Sequence, residues 1–283
     1  MQILNFIRKK IIKSQQKRTF QEYYYSIVTF QIDENSIGNI DYARWLHPFD
    51  TPKSITNENI RFYKNFVSQG DMVIDIGAHE GDTSVPMALA VGKDGLVLAL
   101  EPNKYVYKVL EKNASLNKEH TNIVPLCFAA TAEDGEFTFN YSDASFCNGG
   151  FLSQINNKKH GHNYTLNVKG VNLEHYLLDN YKKDLTRLKL IKIDAEGYDA
   201  EILKSISKII IDFKPKLIIE CYKRLTFEER NKLYDLIDEF GYDLFYLENF
   251  EKNFEMKKIG KENMMDYRHF DMLAVHRSLH HRN

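Results

Sequence analysis

Apolar positions in the first thirty residues recur at helical spacing. Ile3, Leu4, Ile7 and Ile11 fall on one side, with Lys9, Lys10, Lys13 and Lys17 between them, and the pattern predicts a helix over 1–30. Gly38, Pro48 and Pro52 mark 31–55 as a connecting segment, and 60–67 reads as a short helix before the Gly70-Asp71 turn. There the rhythm changes. Short apolar runs alternate with amphipathic stretches. MVIDIG (72–77), LVLALE (96–101), NIVPLC (122–127), LKLIKID (188–194) and KLIIEC (216–221) read as buried strands. Residues 83–91, 103–117, a stretch from Asp199, and 226–240 read as helices. Pro86 is tolerated in the first turn of its helix, and Thr226 with Glu229 three residues on forms a capping-box pattern. YDLFYL (242–247) and FDMLAVH (270–276) are the last two strands.

Strands that are apolar throughout and alternate with helices predict an α/β fold, a doubly wound, mostly parallel sheet covered on both faces. EFTFNY (136–141) and TLNVKGV (165–171) instead alternate apolar with polar, as an antiparallel pair does. The loop between them, 142–164, holds SFCNGG and KKHGHN, and its length and its Gly149-Gly150 pair suit a cover over an acceptor site. His160 and His162 in that loop have no third ligand nearby in sequence, so a solvated loop is favoured over a metal site. A helical N-terminal extension (1–58) and one larger domain (59–283) are the expected organisation.

With 43% hydrophobic residues in 283, the chain can bury a sizeable core. Lys and Arg number 38 and Asp and Glu 39, a net charge of −1, unlike a protein that holds nucleic acid by overall charge. Cys127, Cys147 and Cys221 form no CxxC pair, which argues against a disulfide framework and fits a reducing, cytoplasmic compartment. No apolar run approaches the roughly 18 residues of a membrane span. The first twenty residues carry six basic side chains and no acid, without the continuous apolar core of a signal peptide. Residues 1–20 therefore have two readings: peripheral docking on an anionic membrane surface, or packing on the chain's own domain or a partner subunit. Assembly as a homo-oligomer stays open.

The first buried strand runs into DIGAHEG (75–81). Gly77 and Gly81 frame a strand-to-helix turn, where ligands of doubly wound sheets bind. The spacing is G-x-x-x-G rather than the G-x-G-x-x-G that supports a pyrophosphate. Asp75 before the first glycine suits a cofactor with a cationic end. Glu101, twenty residues after Gly81, ends the second strand, where a carboxylate can accept both hydroxyls of a ribose. A nucleoside without phosphates and with positive charge fits both features, and S-adenosylmethionine is such a molecule. Asp194 ends the fourth strand, Glu196 follows two residues on, and two carboxylates crowded at one strand end should raise the pKa of one of them.

DIGAHEG, LALEPN, FAATAEDGE, IKIDAEGYDAEIL, LIIE and DMLAVHR occur in that order and resemble the FkbM family of S-adenosylmethionine-dependent methyltransferases, over roughly residues 60–277. The resemblance implies a class I, Rossmann-like sheet of seven strands in the order 3-2-1-4-5-7-6, with strand seven antiparallel. It implies O-methylation of a small acceptor, a sugar or glycan hydroxyl. Carried onto this chain, the cofactor turn comprises Asp75, Gly77, Ala78, His79, Gly81 and Thr83, with the methionine end beside Asp75, Gly77 and Gly81. Glu101, with Pro102 and Asn103, holds the ribose, Phe128 and Ala129 lie near the adenine, and Asp194 and Glu196 face the methyl group. The family usually has Asn where this chain has His79, which is either a tolerated polar replacement or a hydrogen-bonding or proton-accepting group.

Asp194 is the expected base, with Glu196 orienting the acceptor and His79 as the next candidate. Asp194 and Glu220 could together hold a divalent cation, an alternative that is not expected because no second acid or Asn follows Glu220. Tyr222, Lys223 and Arg224 could contact an acceptor, and His276 reads as structural. Two rivals remain. A nucleic-acid methyltransferase would need a D/N-P-P-Y/F motif or a Pro-Cys pair, both absent here, together with a basic face. A binding module that keeps the cofactor pocket without chemistry would not need Asp194 and Glu196.

Overall fold

The computed structural model describes residues 2–34, 37–147, 150–152, 164–248 and 256–279. In chain order these form α1 (Gln2–Arg18), β1 (Tyr25–Ile32), β2 (Gly38–Trp45), α2 (Asn57–Lys64), β3 (Met72–Ile76), α3 (Ser84–Val91), β4 (Leu96–Leu100), α4 (Lys104–Ser115) and β5 (Ile123–Leu126). Then come β6 (Ala129–Thr131), β7 (Gly135–Tyr141), β8 (Phe151–Leu152), β9 (Tyr164–Asn172), α5 (Leu173–Asn180), β10 (Leu188–Ile193), α6 (Asp199–Ser205) and α7 (Ser207–Phe213). The chain continues with β11 (Lys216–Cys221), α8 (Phe227–Glu239), β12 (Tyr242–Leu247), β13 (Lys257–Ile259) and β14 (Phe270–His276).

The central sheet is ordered β13-β12-β14-β11-β10-β3-β4-β5. Five strands, β5, β4, β3, β10 and β11, run parallel, and β14 is antiparallel to both β11 and β12. This is the expected seven-strand order with one short strand, β13, added at the edge. β3 and β4 are buried at every position because helices cover both faces. Alternation along the strands divides the core. Ile74, Ile76, Ile191 and Ile193 pack towards α5 to α8, and Val73, Val97 and Leu190 pack towards α2, α3 and α4. Local signals hold where expected. Thr226 and Glu229 form the capping box of α8, and Asn103 caps α4 by accepting the Tyr105 N–H.

The N-terminal part departs from expectation. The helix ends at Arg18, and 25–45 is a β-hairpin, registered from Tyr25↔Trp45 to Ile32↔Gly38. YSIVTFQI is rich in β-branched and aromatic residues, and apolar residues on the helical spacing stop at Ile12, so strand preference wins beyond it. The segment is no loose connection. Ile32, Ile40 and Tyr42 share a buried cluster with Val73 and Val97. Asn113 of α4 clamps β2: its Oδ1 accepts the Ala43 N–H at 2.7 Å, and its Nδ2 donates to the Ala43 and Glu80 carbonyls at 2.8 and 2.7 Å.

A second sheet, ordered β6-β9-β7-β8, contains the expected antiparallel pair, β7 with β9. Within the loop 142–164, residues 148–149 and 153–163 lie outside the described residues, and with them Gly149, His160 and His162. No helix among the described residues is long and apolar enough to cross a membrane.

Candidate functional site

The carboxyl ends of β3, β4 and β10, the small sheet and the segment after β2 enclose a cavity of about 390 Å³. That volume suits a small-molecule site. The turn after β3 sets its shape. Gly77 has φ +81, and a Cβ there would lie 2.0 Å from the Asp194 carbonyl oxygen, so only glycine lets β3 and β10 end side by side. The Asp194 N–H donates to the Ile76 carbonyl at 3.0 Å and closes the same junction.

Glu101 stands at the end of β4, nearly buried. Its Oε1 accepts the Asn103 N–H at 2.8 Å and its Oε2 the His79 N–H at 3.0 Å. These bonds fix the carboxylate while leaving lone pairs for further donors. Burial pushes its pKa up to about 7. Phe128, Ala129, Phe139 and Tyr141 give an apolar wall beside it. Gly77, His79, Thr83, Pro102, Asn103, Asp194 and Glu196 also line the cavity.

Asp75, Ala78 and Gly81, read as part of the cofactor turn, do not line it. Asp75 is fully buried. Its Oδ2 accepts the hydroxyls of Thr83 at 2.7 Å and Ser84 at 2.5 Å, and its Oδ1 lies 3.8 Å from the Lys192 ammonium. It therefore ties the start of α3 to β10 from behind the cavity wall. Ala78 is fully buried, and Gly81 makes room for α4: a Cβ there would meet Leu110 Cδ1 at 3.1 Å.

Lys192 was not foreseen. It lies beside Asp75 in the β3–β10 register, two residues before Asp194, so period 2 puts all three side chains on one face. Its ammonium is 3.1 Å from Asp194 Oδ2, and the two carboxylates raise its pKa above the ordinary lysine value against the pull of burial. The Asp194 side chain is 41% exposed, so its carboxylate faces the cavity from a buried cationic anchor. The available signal was a lysine inside an otherwise apolar strand.

Glu196 adopts the left-handed φ of +51, and burial, then Asp194, raises its pKa. Tyr222 shares a side-chain hydrogen bond with it. Asp199, also unforeseen, accepts the Ala195 and Gly197 N–H groups at 3.2 and 3.0 Å and fixes the turn that carries Glu196. His79, at φ +47, has its pKa lowered by burial, so its imidazole is neutral at physiological pH.

Glu220 does not line the cavity. Burial, then the charges of Asp194, Asp199, Glu196 and Asp271, pushes its pKa up to about 10, and its Oε1 lies 3.5 Å from His269 Nε2. Tyr222, Lys223, Arg224 and His276 also lie off the lining. Among the described residues no group of three or more His, Cys, Asp or Glu is placed to hold a metal ion. One wall comes from a stretch read as a connection: Phe49, Asp50, Thr51 and Lys53.

The sheet order and the cavity at the strand ends define a class I methyltransferase fold. The family model described as the methyltransferase FkbM domain matches residues 75–245, more than half of the chain, and the protein belongs to this family of S-adenosylmethionine-dependent methyltransferases. No curated protein matches the chain.

Solved structures give distant likenesses. An FkbM methyltransferase from Methylobacillus flagellatus KT is 14% identical, with a TM-score of 0.44 over 77% of this chain and 50% of its own. An O-methyltransferase from Bacillus cereus in complex with SAH is 14% identical, with a TM-score of 0.41 over 78% of this chain and 82% of its own. A tRNA m1G37 methyltransferase from M. jannaschii is 15% identical, with a TM-score of 0.39 over 89% of this chain and 57% of its own.

The cavity residues fit the cofactor. A fixed carboxylate at the β4 end could accept hydroxyls, an apolar wall could take a base, and the Asp194 carboxylate faces the same cavity.

Proposed function

We propose that the protein transfers a methyl group to a hydroxyl of a small, neutral acceptor, a sugar or a glycan. The bound cofactor supplies an electrophilic methyl group, and the chain positions two partners and takes up one proton. Glu101 accepts the ribose hydroxyls, and the wall of Phe128 and Ala129 covers the adenine. Asp194 is the proton acceptor for the attacking hydroxyl, and Glu196, with its raised pKa, orients the acceptor or shares that proton.

The observation that carries the reading is Asp194 itself, a half-exposed carboxylate in the cavity held at 3.1 Å by the buried Lys192. The acidic lining favours a neutral acceptor over a phosphate-bearing one. Asp50, Asp82, Asp194 and Glu196 all line the cavity, and the chain as a whole carries a net charge of −1.

The test is incubation with S-adenosylmethionine and a panel of methyl glycosides and oligosaccharides, followed by mass spectrometry. The expected product is a sugar heavier by one methyl group on oxygen. If no sugar is modified while transfer RNA gains a methyl group on a base, the proposal is wrong.

A further inference from the structure

The wall made by 49–53 lies outside the residues matched by the family model, which begin at 75. It is nevertheless built into the fold. The Trp45 N–H donates to Glu80 Oε2 at 2.6 Å, fixing the end of β2 against the cofactor turn. His47 is buried, 3.6 Å from the buried Asp143, and its Nδ1 accepts the Phe49 N–H at 3.1 Å. Arg44 donates to the Lys53 carbonyl at 2.9 Å. These bonds hold the segment in place at the cavity wall.

What the segment presents is chemically specific. Phe49 lines the cavity, and the Lys13 and Lys17 ammonium groups of α1 lie 5.6 and 5.5 Å from its ring centroid. The Oδ2 atom of Asp50 is buried and has no hydrogen-bond partner. Lys53 lies 3.7 Å from Asp82, with both side chains about one third exposed. Asp82, Asp50, Lys53 and Asp194 line the same cavity as His79. A carboxylate only accepts and an ammonium only donates, whereas a hydroxyl does both. A ring with an apolar face and a rim of hydroxyls satisfies Phe49, Asp50 and Lys53 together. An apolar acceptor would strand the charged groups, and an anionic one would meet Asp50, Asp82 and Asp194.

We propose that Phe49, Asp50 and Lys53 form the acceptor subsite and select a neutral, hydroxyl-rich ring, so that acceptor choice is encoded in the segment after β2. The inference rests on the O-methyl transfer proposed above. The test uses the full chain and the methyl glycoside that wild type turns over best, with Asp50→Asn and Phe49→Ala compared for acceptor KM, kcat and affinity for S-adenosylhomocysteine. Loss of the charge and of one acceptor oxygen should raise the acceptor KM up to about tenfold in Asp50→Asn. Phe49→Ala should raise it in the same direction, while affinity for S-adenosylhomocysteine stays within about threefold in both, below that roughly tenfold step.

An unchanged acceptor KM in both variants overturns the subsite and leaves the proposed function standing. An equal loss of cofactor affinity also overturns it, since the segment would then serve the cofactor. A wild-type protein that modifies no glycoside overturns the proposed function, and the subsite with it. Asp50→Asn is isosteric, so a folding failure of Phe49→Ala alone still leaves a decisive measurement.

Discussion

Replacing Lys192 with Met keeps an unbranched side chain one atom shorter and deletes the charge, which isolates the electrostatic role of this residue. Lys192 is 4% exposed and faces Asp75 Oδ1 at 3.8 Å and Asp194 Oδ2 at 3.1 Å. Asp194 is 41% exposed, so water replaces most of what it loses, and its share is about 0–1 kcal/mol. Asp75 is fully buried and keeps only the Thr83 and Ser84 hydroxyls, both on Oδ2. Stranding a buried charge typically costs about 3–5 kcal/mol, so Asp75 decides the outcome.

The pH dependence follows from the same group. Burial already raises the Asp75 pKa and Lys192 opposes that rise, so the variant's folded pKa climbs further above the unfolded value of about 3.9. Between the wild-type and variant folded pKa values the variant's folded state keeps a proton that the wild type's has lost, so stability relative to wild type falls as pH rises. Urea unfolding at pH 5 and pH 8 reads this directly. The expected loss is about 3–5 kcal/mol at pH 8 and clearly less at pH 5, with most of it recovered by adding Asp75→Asn. A loss below about 1 kcal/mol at pH 8, within the range of an exposed pair, or an equal loss at both pH values, would refute the assignment.

Glu101→Ala should weaken binding of S-adenosylhomocysteine at least tenfold in calorimetry, because two charge-assisted bonds of roughly 1.5–3 kcal/mol each are removed. With the Glu101 pKa at about 7, wild-type affinity should decline as pH falls through that value, since protonation removes the double acceptor, and a flat profile would argue against its ribose role. Asp194→Asn keeps shape and removes basicity, so turnover should drop at least about a hundredfold with cofactor affinity within about threefold. If turnover holds, His79 becomes the base to examine next. Gly77→Ala should cost at least about 3 kcal/mol in chemical denaturation, since a Cβ would sit 2.0 Å from the Asp194 carbonyl oxygen on a left-handed backbone.

The strands β3, β4, β5, β10, β11, β12 and β14 of the central sheet were legible in the sequence because each is a short, largely apolar run bounded by turns, a pattern that burial on both faces imposes. Gly77, Glu101 and Asp194 could be placed at the site because strand ends are where a doubly wound sheet binds ligands. The direction in which a side chain points from such an end was not in the pattern. Asp75 and Glu101 both sit at strand ends, yet one turns behind the wall to Thr83 and Ser84 while the other faces the cavity. Lys192 gained its meaning only from the β3–β10 register, which pairs it with a residue more than a hundred positions away. The segment 49–53 carries no periodic signal, and its place on the cavity depends on Glu80, His47 and Asp143 folding together around it. Local periodicity thus determined the elements and their order, and long-range pairing decided which polar groups meet.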